Sequence, residues 1–131
     1  MKLKKFLVKI VVCLVMIFSL GACRAPEDIC GTYNLVSMSG IPGVTVSTYE
    51  YNRITLEENY EFEIKNKAYG VVTKQTGEWD INKDKDEITF VTKQGSRELE
   101  ETYEYNYDEK QIIMESYLEG YHIVMIFQLE D

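Results

Sequence analysis

The chain has 131 residues, with 22 acidic and 14 basic side chains and a formal net charge of −8 at pH 7. This length fits one domain with a single hydrophobic core. The acidic excess disfavours nucleic acid as a partner, because phosphate binding requires clustered lysine and arginine. It also disfavours a domain that lies flat on anionic lipid.

The N-terminal segment has the pattern of a secretory signal. Lys2, Lys4 and Lys5 precede an apolar stretch over residues 6–20, and small residues follow it. The uncharged run over residues 10–22 is shorter than the about 20 apolar residues that span a bilayer. The pattern therefore favours a cleaved signal over a membrane-spanning helix.

The sequence Leu20-Gly21-Ala22-Cys23 resembles the lipobox of bacterial lipoproteins. The resemblance implies cleavage between Ala22 and Cys23 and attachment of lipid to Cys23, which holds the protein on the extracytoplasmic face of the cell membrane. The resemblance also implies a diacylglyceryl group, which has two acyl chains. Each buried CH₂ of an acyl chain contributes about 0.8 kcal/mol to membrane binding, and two chains together anchor a protein stably. A signal cleaved after Ala22 without lipid attachment is the alternative.

Processing at this position divides the chain into three parts. Residues 1–22 are the predicted signal peptide, residues 23–30 a lipidated N-terminus with a short tether, and residues 31–131 the folded domain. The tether reaches roughly 20 to 25 Å when extended at about 3.3 Å per residue. The signal contains four of the 14 basic residues and none of the 22 acidic ones, so the processed chain carries a formal charge of −12.

The sequence predicts neither an enzyme nor a metal or cofactor site. Cys30 is the single thiol left after processing, and we expect it to be a small buried residue rather than a reactive group. His122 is the only histidine, which is too few for the usual set of metal ligands. Asn82, Asp84 and Asp86 stand at alternate positions, as at the start of a calcium loop, but they fit a charged hairpin turn better.

Polar and apolar residues alternate from Gly31 to the end of the chain, which predicts strands with one solvated face. Turn residues recur about every 8 to 12 positions, as in a sandwich or barrel. We predict eight strands, or nine if residues 74–77 interrupt one of them. The short links favour an antiparallel up-and-down meander that closes into a barrel. One long connection, residues 38–48, is expected to cross a mouth of this barrel.

The strand pattern resembles small bacterial lipocalin-like domains of the calycin group. The segments that carry the resemblance are residues 31–35, the hairpin over residues 54–62, residues 77–79 and the closing strand over residues 121–129. The resemblance implies a small lipocalin-like barrel. A barrel of about eight strands either fills its interior with side chains or holds one small ligand.

Ten tyrosines are many for a chain of this size, and Tyr103, Tyr105 and Tyr107 share one strand face. They either line a cavity or form a ladder or core, and we favour the ladder or core. In the case of a cavity, the predicted ligand-lining residues are Tyr33, Leu35, Phe62, Trp79, Phe90, Tyr105 and Phe127.

Two functions remain open at this point. The barrel binds a small apolar or amphipathic molecule, or it is a packed interaction or inhibitor module for another protein of the cell envelope. A continuous cavity of about 300 Å³ or more favours the first function. A packed interior with an exposed apolar patch favours the second.

Overall fold

The structure, a computed structural model, describes residues 24–131. The predicted cleavage at Ala22 and Cys23 and the lipid on Cys23 lie outside these residues. Within them, eight antiparallel strands follow one another around a closed barrel, so the predicted all-β meander is confirmed. The strands are β1 (Gly31–Ser39), β2 (Tyr49–Leu56), β3 (Glu61–Ala68), β4 (Val71–Asn82), β5 (Glu87–Gln94), β6 (Arg97–Asn106), β7 (Gln111–Leu118) and β8 (Tyr121–Leu129).

The strand count is eight rather than nine, because β4 runs without interruption through residues 74–77. Short turns join consecutive strands from β2 to β8, and β1 pairs with β8 to close the barrel. A bulge between Leu35 and Ser37 shifts this closing register by one residue. Bulges of this kind increase the local twist, which a closing strand requires.

The up-and-down topology gives the barrel two ends with different contents. The capped end carries residues 24–30 and the β2–β3, β4–β5 and β6–β7 turns. The far end carries the long β1–β2 connection and the turns at residues 69–70, 95–96 and 119–120.

The core fills the half of the barrel next to the capped end. Inward-facing aromatic rings interlock there, with Phe62 and Phe90 meeting edge to face at 4.8 Å between ring centroids. Burial of each large apolar side chain contributes about 1.5 to 3 kcal/mol. The buried hydrophobic residues are Ala25, Ile29, Tyr33, Leu35, Ile54, Leu56, Phe62, Trp79, Ile88, Phe90, Tyr105, Ile112, Ile123 and Phe127.

The segment predicted as a tether is folded onto the capped end from Ala25 onward. Ile29 is fully buried and Ala25 is 2% exposed. The Ala25 N–H donates to the Glu58 carbonyl at 2.8 Å, and the Tyr33 hydroxyl donates to the Ile29 carbonyl. These contacts make residues 25–30 a plug of the barrel rather than an extended spacer.

The long β1–β2 connection folds back onto the far end. It contains a short 3₁₀ helix, Val46–Thr48, and Val46 packs against the core. Gly40 has a φ of +109°, and a Cβ there would lie 1.9 Å from the His122 carbonyl oxygen. Only glycine fits this close approach to β8. None of the helical structure within residues 24–131 has the length and apolar character needed to span a membrane.

Candidate functional site

The barrel wall separates between β6 and β7. The two strands pair only over Glu104–Asn106 and Gln111–Ile113. By contrast, β5 and β6 pair over eight residues, and β7 and β8 pair along the whole of Gln111–Leu118. From Met114 onward β7 therefore diverges from β6 toward the far end.

A groove of about 930 Å³ lies on the outer surface, from the β4–β5 and β6–β7 turns of the capped end to the first part of this separation. Its side chains include five carboxylates and a single ammonium group. The lining residues are Lys85, Asp86, Glu87, Thr102, Tyr103, Glu104, Tyr105, Asn106, Tyr107, Asp108, Ile113, Glu115 and Tyr117. The groove is thus acidic and rich in tyrosine.

Aromatic contacts fix the walls of the groove. The Tyr117 ring stacks on His122 at 4.5 Å between centroids, and the His122 Nε2 atom contacts the Glu115 carboxylate. On the other wall, Tyr105 and Tyr107 meet edge to face at 4.8 Å. Tyr117 is nevertheless 74% exposed, so its outer face is available to a partner.

The Tyr107 hydroxyl is buried and lacks a hydrogen-bond partner among the described residues. Burial, with a smaller effect of the Asp86 and Asp28 charges, raises the pKa of Tyr107 above its ordinary value. The hydroxyl therefore stays protonated at neutral pH and remains a donor. A buried donor without an acceptor costs about 1 to 3 kcal/mol.

A second, smaller recess lies inside the barrel, in the half next to the far end. Its volume is about 170 Å³, below the roughly 300 to 1,000 Å³ of typical small-molecule sites. One wall is polar and the other is built from methionine, isoleucine and phenylalanine. The lining residues are Tyr49, Asn52, Ile64, Asn66, Gln75, Phe90, Glu101, Tyr103, Met114, Met125 and Phe127.

The polar wall of this cavity contains a buried acceptor without a partner. Asn52 is only 7% exposed, and its Oδ1 atom makes no hydrogen bond with the described residues. Nearby, Gln75 Nε2 donates to Thr92 Oγ1 at 2.7 Å. The cavity thus presents an acceptor that water or a small ligand with a donor group would satisfy.

Tyr103 lines both the outer groove and the inner cavity. Its hydroxyl donates to the Glu101 carboxylate. Burial, followed by this hydrogen bond, raises the pKa of Tyr103 well above its ordinary value. The protonated Tyr103 side chain therefore stands in the wall between the two recesses, at the point where β6 and β7 separate.

The structure divides the seven predicted ligand-lining residues into two groups. Phe90 and Phe127 line the inner cavity. The other five lie in the packed core near the capped end and not around the cavity, and Tyr105 also borders the outer groove. These five are Tyr33, Leu35, Phe62, Trp79 and Tyr105.

Sequence reasoning missed the polar wall of the cavity. Its signal was present, because Asn52 shares the inward phase of β2 with Ile54 and Leu56, and Gln75 shares that of β4 with Trp79. Polar residues in an inward phase break the expected alternation. The separation of β6 from β7 has no comparable signal.

Comparisons of the chain with protein-family models, with curated proteins and with solved structures give no match. The closed eight-stranded barrel is compatible with the lipocalin-like architecture that the strand pattern resembles. Within residues 24–131, no three histidine, cysteine or acidic side chains are placed to hold a metal ion.

Proposed function

We propose that this protein is a lipid-anchored, extracytoplasmic interaction module that docks another protein of the cell envelope and carries out no catalysis of its own. The observation that carries the proposal is the outer groove between β6 and β7, whose volume is about 930 Å³. It is several times larger than the inner cavity of about 170 Å³. The groove, rather than the interior, is the recess large enough for a partner.

The distribution of exposed apolar side chains supports the same proposal. Seven of the eight large hydrophobic residues exposed among the described residues flank the three tight turns of the far end. Exposed apolar side chains that gather at one end of a folded domain are a candidate interaction surface. These seven residues are Tyr69, Val71, Val72, Leu99, Tyr117, Leu118 and Tyr121.

The anchoring part of the proposal rests on the lipobox-like sequence that ends at Cys23. Arg24 follows it directly and pairs with Glu58 at 3.5 Å, at the capped end. A lipid on Cys23 would therefore place the capped end at the bilayer and direct the far end away from it. Two acyl chains suffice for such an anchor without a spanning helix.

Membrane fractionation tests the anchor. The Cys23→Ala variant is expected to lose lipid labelling and to leave the membrane fraction, because no thiol remains at the attachment position. A Cys30→Ala variant serves as the matched control and is expected to stay in the membrane fraction. Retention of the Cys23→Ala variant in the membrane with its lipid would disprove the anchor.

Site-specific photo-crosslinking tests the docking role. A photo-crosslinking amino acid replaces Tyr117 in the groove or, as a control, the exposed Glu130 near the C-terminus. In cells that express the full chain, we expect a discrete protein adduct from position 117 and none from position 130. Equal adducts at both positions, or none at position 117, would reject the groove as the docking surface.

A second function is favoured by one specific observation, the unsatisfied Oδ1 atom of Asn52. The inner cavity is suited to a small amphipathic molecule that places a donor group at Asn52 and an apolar part against Met114 and Met125. At about 30 Å³ per water, the cavity holds about five or six waters, so such a ligand is small. Native mass spectrometry of the full chain in mild detergent is expected to show an adduct that the Asn52→Leu variant loses.

A further inference from the structure

One edge of β7 lacks a neighbouring strand in the described structure. Met114–Leu118 pair with β8 along one edge, while the pairing with β6 ends at Ile113. The free edge is five residues long, or about 17 Å at 3.4 Å per residue. Backbone N–H and C=O groups on such an edge form a template for another strand.

Resting on the docking role proposed above, we propose that the groove binds an extended, basic segment of the partner, which adds as a strand to the free edge of β7. Strand addition supplies affinity through main-chain hydrogen bonds and specificity through alternate side chains. Outward-facing Ile113, Glu115 and Tyr117 line the groove beside this edge. They are placed to contact every second side chain of an added strand.

The negative charge of the groove favours a partner segment that carries positive charge. Its lining includes Asp86, Glu87, Glu104, Asp108 and Glu115, against Lys85 alone. Of these carboxylates, Glu115 contacts the His122 ring, and the other four take part in none of the ion pairs found within residues 24–131. The remaining carboxylates are available to lysine or arginine side chains of a partner.

The same charge disfavours two other occupants. A second copy of this chain would bring its own acidic groove against the first, and like charges in close contact destabilise an interface by several kcal/mol. An anionic lipid surface is repelled for the same reason. A basic polypeptide instead gains from both the carboxylates and the tyrosine rings, since cations bind over aromatic faces.

Peptide binding to the full chain in detergent tests this proposal. The probe is a fluorescent peptide of about eight residues that alternates lysine and valine, and fluorescence anisotropy gives its Kd. Methylation of alternate backbone amides removes strand pairing but keeps the charge, and it is expected to weaken binding at least about tenfold. The acidic counterpart, with glutamate in place of lysine, is expected not to bind.

Charge variants locate the binding surface. Glu104→Gln and Asp108→Asn remove groove carboxylates, and each is expected to weaken binding about two- to fivefold at low salt. Glu130→Gln, outside the groove, is the matched control and is expected to leave the Kd unchanged. Equal losses in all three variants would show that net charge alone attracts the peptide, and would overturn the proposal.

The outcomes separate this proposal from the docking role on which it rests. If the methylated peptide binds as tightly as the unmodified one, strand addition is refuted. If position 117 then still gives a protein adduct in cells, the docking role stands and the partner uses another mode. If neither peptide nor adduct is found, both proposals fall.

Discussion

The Tyr105 hydroxyl donates a hydrogen bond to the Tyr33 hydroxyl across 2.7 Å, in the fully buried core of the capped end. The direction follows from the next link, because the single hydroxyl proton of Tyr33 is donated to the Ile29 carbonyl. Two consecutive hydrogen bonds, through the hydroxyls of Tyr105 and Tyr33, therefore connect β6 to β1 and β1 to the N-terminal plug. The rings also meet edge to face, at 6.1 Å between centroids.

Removal of the Tyr33 hydroxyl is expected to destabilise the domain more than removal of the Tyr105 hydroxyl. Tyr33→Phe leaves both the Ile29 carbonyl and the Tyr105 hydroxyl without a partner. In Tyr105→Phe, the Tyr33 hydroxyl still donates to Ile29, and only its oxygen loses the hydrogen bond that it accepted. We expect losses of about 3 and about 1 kcal/mol in the free energy of unfolding, measured with urea. Tyr69→Phe, at a site 82% exposed, is the control and should change it by less than about 0.5 kcal/mol.

The stability of the domain is expected to fall at alkaline pH. Burial raises the pKa of Tyr33 and Tyr105 above the ordinary value near 10. The unfolded chain therefore loses these protons first, so their contribution is complete below pH 10 and is lost as the pH rises further. Urea unfolding between about pH 8 and pH 11 should show a constant free energy up to about pH 10 and then a decline of up to about 1.4 kcal/mol per pH unit for each tyrosine. A flat profile across this interval would contradict the prediction, and Tyr33→Phe should make the decline shallower.

Gly77→Ala is expected to destabilise the barrel through a direct clash. A Cβ at this position would lie 2.1 Å from the Val91 carbonyl oxygen and 2.9 Å from the Phe62 ring. We expect a loss of about 3 kcal/mol by thermal or urea unfolding. Gly43→Ala provides the comparison, because that residue has a φ of +79° but open space around it, and strain alone costs about 1 kcal/mol. Similar losses in both variants would rule out the clash.

Cys30 is expected to react slowly with alkylating reagents. Burial, followed by the charges of Glu58, Asp28 and Glu27, raises the pKa of the Cys30 thiol. The thiolate is the reactive form, so its fraction at neutral pH is smaller in the folded domain than in the unfolded chain. Peptide mass spectrometry after a timed pulse of iodoacetamide should show labelling several times slower than in urea. Equal rates in the folded and unfolded states would refute a protected thiol.

The fold was largely predictable because the alternation of apolar and polar residues within each strand shows which side chains face inward. Tyr33 and Leu35 in β1 alternate with polar neighbours, and the turn residues at 119–120 mark the last hairpin, so strand number and order follow from local pattern. The plug escaped prediction, because Ala25 and Ile29 lie in a stretch without periodicity. Their burial depends on the shape of the barrel end, and a local sequence pattern does not predict that shape.

The site was less predictable than the fold. Sequence phase identifies Tyr105 and Phe127 as inward-facing, but it does not tell which half of the barrel is packed and which contains space. The groove depends on where β7 leaves β6 after Ile113, a matter of sheet twist and register between whole hairpins. Such geometry arises from the summed packing of many residues.

The plug over residues 25–30 determines how a partner would have to approach. With lipid on Cys23, only Arg24 separates the bilayer from folded protein, so the barrel has little freedom to swing. The groove opens on the side wall and is bordered by two turns of the capped end, and so it would face along the bilayer, close to its surface. The search for a partner would then run in two dimensions, among proteins held at the same height above the same membrane.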